Sequence, residues 1–338
     1  MKRNLAHMTV PVIAIGVVTV IVALVPSSVA MAQEKSLIPE HYILGRMRIL
    51  YAKEGLSAVA PGDVDENGVP DQVENVAKQL WAAHRLFCEA LQFPDPFKSE
   101  RYKDLTCIQV SIRHPTEIGG INGVAFENAQ RARLLPEGKR EDRALVMAIS
   151  SQLDPIKNGT PAHEMFHLIQ YCATYFKKGW YLEGQARWSE HALAKEGIGE
   201  LKYPPKGPWP QIPQHLELLA KMKYDAEFVL WNPIAARTDR NGVLSDKLLG
   251  EELVALRYSD GSPVVADRLL YGAEVMRDIL IELGEQDDVA FKELGYETWS
   301  EENQTAERNN PYIYKAIMDV LRRHARPVGR FDIPRPKR

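Results

Sequence analysis

His163-Glu164-Met165-Phe166-His167 places two imidazoles four residues apart. On an α-helix that spacing puts both on one face, about 40° apart around the axis. Both rings can then reach one zinc ion, and Glu164 between them is placed to handle the proton of a water that the ion polarises. Residue frequencies alone give a chance HExxH in roughly one chain of this length in a hundred. The surrounding sequence must therefore separate a zinc helix from a surface helix with two ordinary histidines.

The flanks favour a helix fed by a sheet. Residues 106–113 alternate, with Ile108, Val110 and Ile112 on one face and Gln109, Ser111 and Arg113 on the other, as in a half-buried strand. Residues 145–149 form a mostly apolar strand, 47–51 a short one, and Gly-rich 119–126 has room for another. Residues 131–143 are charged and read as loop. Thr160 reads as the N-cap of the motif helix and Pro161 as its first helical residue. Lys177-Lys178-Gly179 reads as a stop, and Trp180 opens a second helical stretch to about residue 195. Residues 71–91 carry a helical period.

A catalytic zinc takes three protein ligands and keeps one open position. A third histidine in the pattern HExxHxxGxxH is excluded, because Gln170 stands where that pattern has glycine and Ala173 where it has histidine. Trp180-Tyr181-Leu182-Glu183-Gly184-Gln185-Ala186-Arg187-Trp188-Ser189-Glu190 offers a glutamate instead. Glu183 follows His167 by sixteen residues, enough for one helix to end and the chain to turn back. Glu190 lies about 20° from Glu183 around a helix axis, so it can face the same site from behind a ligand histidine.

HEMFH followed by WYLEGQARWSE resembles the gluzincin metallopeptidases, whose HExxH is followed by a tryptophan-containing W-L-x-E-G-x-A segment, best known in the gluzincin aminopeptidases. The resemblance covers roughly residues 145–193. It implies zinc ligands His163, His167 and Glu183, with Glu164 as general base. Glu190 rests on the helical spacing alone. The linker between the motif halves is shorter than in those aminopeptidases, and no G-x-M-E-N element for a free substrate N-terminus is present. Endopeptidase activity on a protein or peptide is therefore the expectation. A zincin-fold binding protein without turnover and a zinc hydrolase of a non-peptide bond are the alternatives.

Asp63-Val64-Asp65-Glu66-Asn67-Gly68-Val69-Pro70-Asp71-Gln72-Val73-Glu74 fits the calcium-loop pattern D-x-[DN]-x-[DN]-G-x5-E in full. Expected ligands are Asp63, Asp65, Asn67, the Val69 carbonyl, Asp71 and Glu74, with Gly68 at the sharp turn. No helix leads into it and Pro70 lies inside it, so the expectation is a single structural Ca2+ loop rather than a sensor pair. The segment also resembles secreted bacterial metalloproteases in which a D-x-N-G-x-P-D loop precedes the zincin core.

Residues 1–32 read as a signal peptide: Lys2 and Arg3, an apolar run over 10–25, the break Pro26-Ser27-Ser28, and Ala30-Met31-Ala32 before Gln33. An uncleaved anchor is the alternative. The expected product is secreted or periplasmic, without stable membrane insertion after cleavage. In such a compartment Cys88, Cys107 and Cys172 allow one disulfide, with Cys88–Cys107 the closer pair, or three unpaired thiols. With 338 residues, 45% apolar and 26% charged, and a net charge of -3, the chain suits one large or two modest domains, with no global signature of nucleic-acid binding.

The expected fold class is α+β. Residues 33–200 form a zincin-like N-terminal domain, a mixed sheet plus active-site helices. A Pro-rich boundary then leads to a mainly α-helical C-terminal domain over 201–325 and a basic tail over 326–338. Within the helical part, Ser262-Pro263 is expected to cap a helix ending at Gly284, and Asn310-Pro311 to start another through 321.

Overall fold

In the computed structural model, residues 37–193, 213–239 and 241–324 are described. The signal segment, the Pro-rich run before Pro213 and the basic tail lie outside the described residues. The described residues belong to one compact unit, Ser36–Arg338. It is α+β, with a mixed five-stranded sheet and, among the described residues, nine α-helices.

The strands are β1 (Glu40–Leu44), β2 (Met47–Tyr51), β3 (Leu105–Arg113), β4 (Gly123–Arg131) and β5 (Arg143–Ser150), in the order β1-β2-β3-β5-β4. β2, β3 and β5 run parallel, and antiparallel strands β1 and β4 form the two edges. β4 begins inside the Gly-rich stretch and continues to Arg131, beyond the short strand allowed there. Alternate residues face the helices: Met47, Ile49 and Tyr51, then Ile108, Val110 and Ile112, then Leu145, Met147 and Ile149 share the main core. This is the period-two pattern read from β3.

The opposite face departs from expectation. It is covered rather than solvated, because the charged segment after β4 folds back over it. Ala132 packs with Cys107 and Ala144, and Leu135 packs with Leu50. Arg48 Nη2 bonds Asp142 Oδ2 at 2.6 Å, and Gln109 Oε1 accepts from Arg133 N. The Cys88–Cys107 disulfide is not formed, and all three cysteines are free thiols. Cys88 lies in the helix-side core and Cys107 on the other face, so the sheet separates them.

The helices are α1 (Asp71–His84), α2 (Thr160–Ala173), α3 (Gly179–Ser189), α4 (Pro213–Leu219), α5 (Asn232–Thr238), α6 (Asp246–Ala255), α7 (Ala273–Glu293), α8 (Glu301–Thr305) and α9 (Asn310–His324). α1 continues into one π-helical segment, Arg85–Ala90, so the period read over 71–91 spans two windings. The helix expected to begin at Ser262-Pro263 starts at Ala273 and runs past Gly284. Pro263 instead bridges to Arg257 as an extended residue. Gly284 is retained inside α7 because a Cβ there would lie 2.5 Å from the Ala173 carbonyl at the end of α2.

α2 packs against α1, α3, β4 and α7, and every residue from Thr160 to Tyr171 is buried. Phe166 meets Phe87 edge-on at 5.1 Å, and Trp188 joins the same aromatic cluster. Helices on both sides of the expected boundary near residue 200 contribute to one core, with Met276, Leu280 and Leu283 of α7 beside Leu168 and Ile169 of α2. No helix among the described residues is long and apolar enough to cross a membrane.

Asp287 of α7 fixes the end of the motif helix. Its Oδ2 accepts from Thr174 Oγ1 and from Tyr175 N, both at 2.6 Å. Burial drives this carboxyl up to about 7, with Asp288 adding to the shift and Arg101 and the two hydrogen bonds opposing it. Between pH 4 and 7 the unfolded chain ionises this group while the folded chain keeps it protonated, so its contribution to stability falls as pH rises and is lowest above 7. Asn at 287 can still accept both hydrogen bonds and carries no charge. Asp287→Asn is therefore expected to gain stability relative to wild type as pH rises from 4 to 8, by on the order of a few kcal/mol at most. Urea unfolding across that range checks it, and a pH-independent difference contradicts it.

Candidate functional site

Three ionisable side chains lie within about one turn of a buried helix. His163, Glu164 and His167 are each 5% exposed or less. Such groups are costly in a core unless partners meet them. The sequence starts this helix differently from the expected cap. Gly159 holds the N-cap position, and Asn158 Oδ1 accepts from both the amide and the hydroxyl of Thr160. The amides that a cap at Thr160 would meet are taken by other acceptors, Ala162 N by Gln79 Oε1 at 3.0 Å and His163 N by the Gly159 carbonyl at 2.9 Å.

One ligand atom from each of His163, Glu164 and His167 lies within 4.8 Å of the other two. The rings stand nearly perpendicular, 4.5 Å apart between centroids. α3 returns across them and delivers Glu183, whose Oε2 is 3.2 Å from His163 Nε2 and 3.5 Å from His167 Nε2. Its other oxygen, Oε1, is held by Lys223 Nζ at 3.2 Å.

The far side of each ring is also fixed. His163 Nδ1 is 2.8 Å from Glu190 Oε1, and a carboxylate can only accept, so Nδ1 carries the hydrogen. His167 Nδ1 is 2.8 Å from Gln170 Oε1. The Gln170 amide nitrogen is committed to the Leu182 carbonyl and to Gln185 Oε1, so its oxygen faces the ring and His167 Nδ1 is also the donor. By the same rule His163 Nε2 donates to Glu183 Oε2, so both nitrogens of that ring carry hydrogen, and the Nε2 atoms of both rings converge on one oxygen of Glu183.

The charges are strongly coupled. Burial opposes charge on His163, yet the hydrogen bonds to Glu183 and Glu190 drive its pKa up to about 10. Burial would raise Glu183, but the two histidines overcome it and hold the carboxyl well below the usual range. Burial raises Glu164, opposed by His167 and His163 and by the backbone N–H of Ala125, which hydrogen-bonds it. Two imidazoles and a carboxylate form a donor set of the kind a catalytic zinc takes, with Glu164 beside it.

Three contributions went unread in the sequence. Gln170 could have been found, since it sits three residues after His167 on one helical face. Tyr224 and Lys223 carry no motif, but the Tyr224 ring lies 6.3 Å from that of His163 and Lys223 Nζ holds Glu183 Oε1. Three other polar rings nearby in the sequence or in the helical layer, which could have stabilised an oxyanion, make contacts of other kinds. His191 Nε2 bonds Glu227 at 2.9 Å, Tyr181 is fully buried, and the Tyr271 ring packs against Gly242.

In the 63–74 loop, Asp63, Asp65 and Glu74 converge on Asn67. Asn67 N lies 3.1 Å from Asp63 Oδ1, and Asn67 Nδ2 lies 3.0 Å from Asp65 Oδ2 and 2.9 Å from Glu74 Oε1. Asp71 accepts instead from Val64 N, while Val69 N donates to Asn67 Oδ1. Gly68 takes φ 87° and Glu66 φ 56°, the left-handed turns that fold the loop inward. These carboxylates do not form one of the three tight metal-ligating groups found among the described residues.

Edge strand β4 closes the site from the sheet side. A Cβ on Gly123 would lie 2.5 Å from Thr160 Cγ2 and 2.8 Å from Glu164 Cγ, so only glycine lets the strand approach the helix this closely. Gly123→Ala is expected to lower stability by about 1–3 kcal/mol through overpacking. An unchanged melting temperature contradicts this reading of the contact.

No family model matches the chain, and no match is found among curated proteins or among solved structures.

Proposed function

We propose that the chain is an exported zinc-dependent metallopeptidase, with the zincin-like architecture that its motif resemblance implies. The observation that carries this reading is the pair of Nε2 atoms converging on Glu183 Oε2, each ring anchored through its Nδ1, with Glu164 alongside. His163, His167 and Glu183 would hold zinc, which supplies Lewis acidity to lower the pKa of a water and polarise the scissile carbonyl. Glu164 takes the water's proton and passes it to the leaving amine. Glu190 and Gln170 keep both rings in the ligating tautomer. β4 is an edge strand of the sheet, so an extended peptide could add along its unpaired side by main-chain hydrogen bonds. That geometry suits an endopeptidase, because it needs no free substrate terminus.

Glu164→Gln is nearly isosteric and leaves the three ligands in place. It is expected to bind zinc as wild type does and to lose nearly all cleavage of casein or a peptide library. Wild-type turnover by this variant contradicts the mechanism. Zinc bound by wild type without cleavage of any peptide favours the alternative of a binding protein. Ester cleavage in a parallel assay, without peptide cleavage, favours a hydrolase of another bond.

The 63–74 loop is assigned a structural Ca2+, with Asp63, Asp65, Asn67, Val69, Asp71 and Glu74 as ligands. Rotation of the Asn67 amide would exchange its nitrogen for its oxygen toward Asp65 and Glu74, the change a cation requires. The ion would neutralise the acidic cluster and pin the start of α1. Protein stripped with EDTA and resupplied with zinc alone is expected to melt at a lower temperature than with zinc and calcium together. Equal melting temperatures exclude this role.

A further inference from the structure

The end of α1 holds a second group of mixed donors that the HEMFH site does not use. His84 is the last residue of α1, Cys88 lies four residues on in the π-helical segment Arg85–Ala90, and Asp95 lies in the loop that follows. One ligand atom from each lies within 4.8 Å of the other two. His84 Nε2 is 3.1 Å from Asp95 Oδ1. We propose that His84, Cys88 and Asp95 form a second metal site, for a zinc-class divalent transition-metal ion.

Three features carry the assignment. The first is enclosure: His84 is 8% exposed, Cys88 is 3% exposed, and the Asp95 side chain is 7% exposed. The second is orientation. Phe97 N holds Asp95 Oδ1 at 2.9 Å, and Phe97 also packs edge-on against the His84 ring. Glu89 Oε1 lies 3.8 Å from the other ring nitrogen, Nδ1, on the side away from Asp95. A carboxylate there favours the tautomer that presents Nε2 to the cluster. The π-helical winding adds to this, since such segments recur where a helix aims side chains at a ligand.

The third is donor chemistry. An imidazole, a thiol and a carboxylate together select a borderline divalent ion such as zinc or cobalt over calcium or magnesium, which take oxygen. In the metal-free arrangement the Cys88 thiol donates to the Pro94 carbonyl at 3.5 Å, and burial, with Asp95 beside it, holds the thiol protonated. Metal binding forms the metal–sulfur bond and releases that proton to solvent, while the ion takes the place of the proton shared by His84 and Asp95. A buried His–Asp pair alone accounts for two of these residues and gives the sulfur no part.

The test is cobalt substitution in the full chain. Protein stripped of metal and kept reduced is reloaded with Co2+ in excess Ca2+, so that the 63–74 loop is not counted. The expected result is two cobalt ions per chain and a thiolate-to-cobalt charge-transfer band in the near ultraviolet. The HEMFH site has no sulfur and cannot produce that band. Cys88→Ser should lose the band and one cobalt, and Asp95→Asn should weaken cobalt binding at the same site if Cys88→Ser folds poorly. Glu183→Ala should keep the band while losing the other ion, which separates failure of this site from failure of the peptidase reading. Wild type without a thiolate band overturns the proposal. So does a band that survives Cys88→Ser, including one that vanishes only in Cys172→Ser.

Discussion

Everything around the site follows from burying His163, Glu164 and His167 in the central helix. Charged or hydrogen-bonding groups in a core are tolerated only when each polar atom is met. α3 and the 3-10 turn after it meet most of them: Glu183 of α3 faces both Nε2 atoms, and Glu190 of the turn stands behind His163. Gln170 stands behind His167 and is itself held by Leu182 and Gln185. Gln185 reaches on to the Met276 carbonyl of α7, so the chain of hydrogen bonds leaves the site and enters the helical layer beyond it. The sequence spacing between HEMFH and Glu183 is thus a packing requirement as much as a chemical one.

The helices after residue 213 belong to the same structure for the same reason. Asp287 closes the C-terminal end of α2, Gly284 lets α7 approach it, and the indole N–H groups of Trp180 and Trp188 find acceptors at Asn310 and Tyr271. A separate helical domain would leave those polar atoms to be satisfied elsewhere. The sheet places α2 from the other side, where β4 comes close only because residue 123 has no side chain.

Elements with a strong local period were legible in the sequence. β2, β3, β5 and α1 fall where their apolar patterns put them, α9 starts at Asn310 as read, and the α+β class follows. α2 and α3 lie in the expected stretches, but α2 ends at Ala173 rather than at Lys177-Lys178-Gly179, Gly179 opens α3 instead of stopping α2, and α3 ends at Ser189. The elements that were misread depend on tertiary contacts. The Thr160 cap was lost because Thr160 already lies inside the helix, with Gln79 of α1 taking the Ala162 amide that the cap would have met. The helix read over 262–284 runs past Gly284, because that glycine serves close approach to the Ala173 carbonyl rather than termination, and it begins only at Ala273, after Gly272 in the left-handed region. The covered outer face of the sheet was invisible, since the charged residues of 131–143 hide the Ala132 and Leu135 contacts in a loop-like composition. At the site, motif residues and their spacing were readable, whereas Tyr224 and Lys223 reach it through chain folding that no local pattern encodes.

The central claim is that the two Nε2 atoms and Glu183 are organised to hold one metal ion. The most direct test is zinc content of purified protein, measured for wild type and Glu183→Ala after dialysis against a weak competing chelator. The account predicts that Glu183→Ala carries one zinc per chain fewer than wild type while remaining folded. Equal zinc in the two proteins, or no zinc in either, contradicts it.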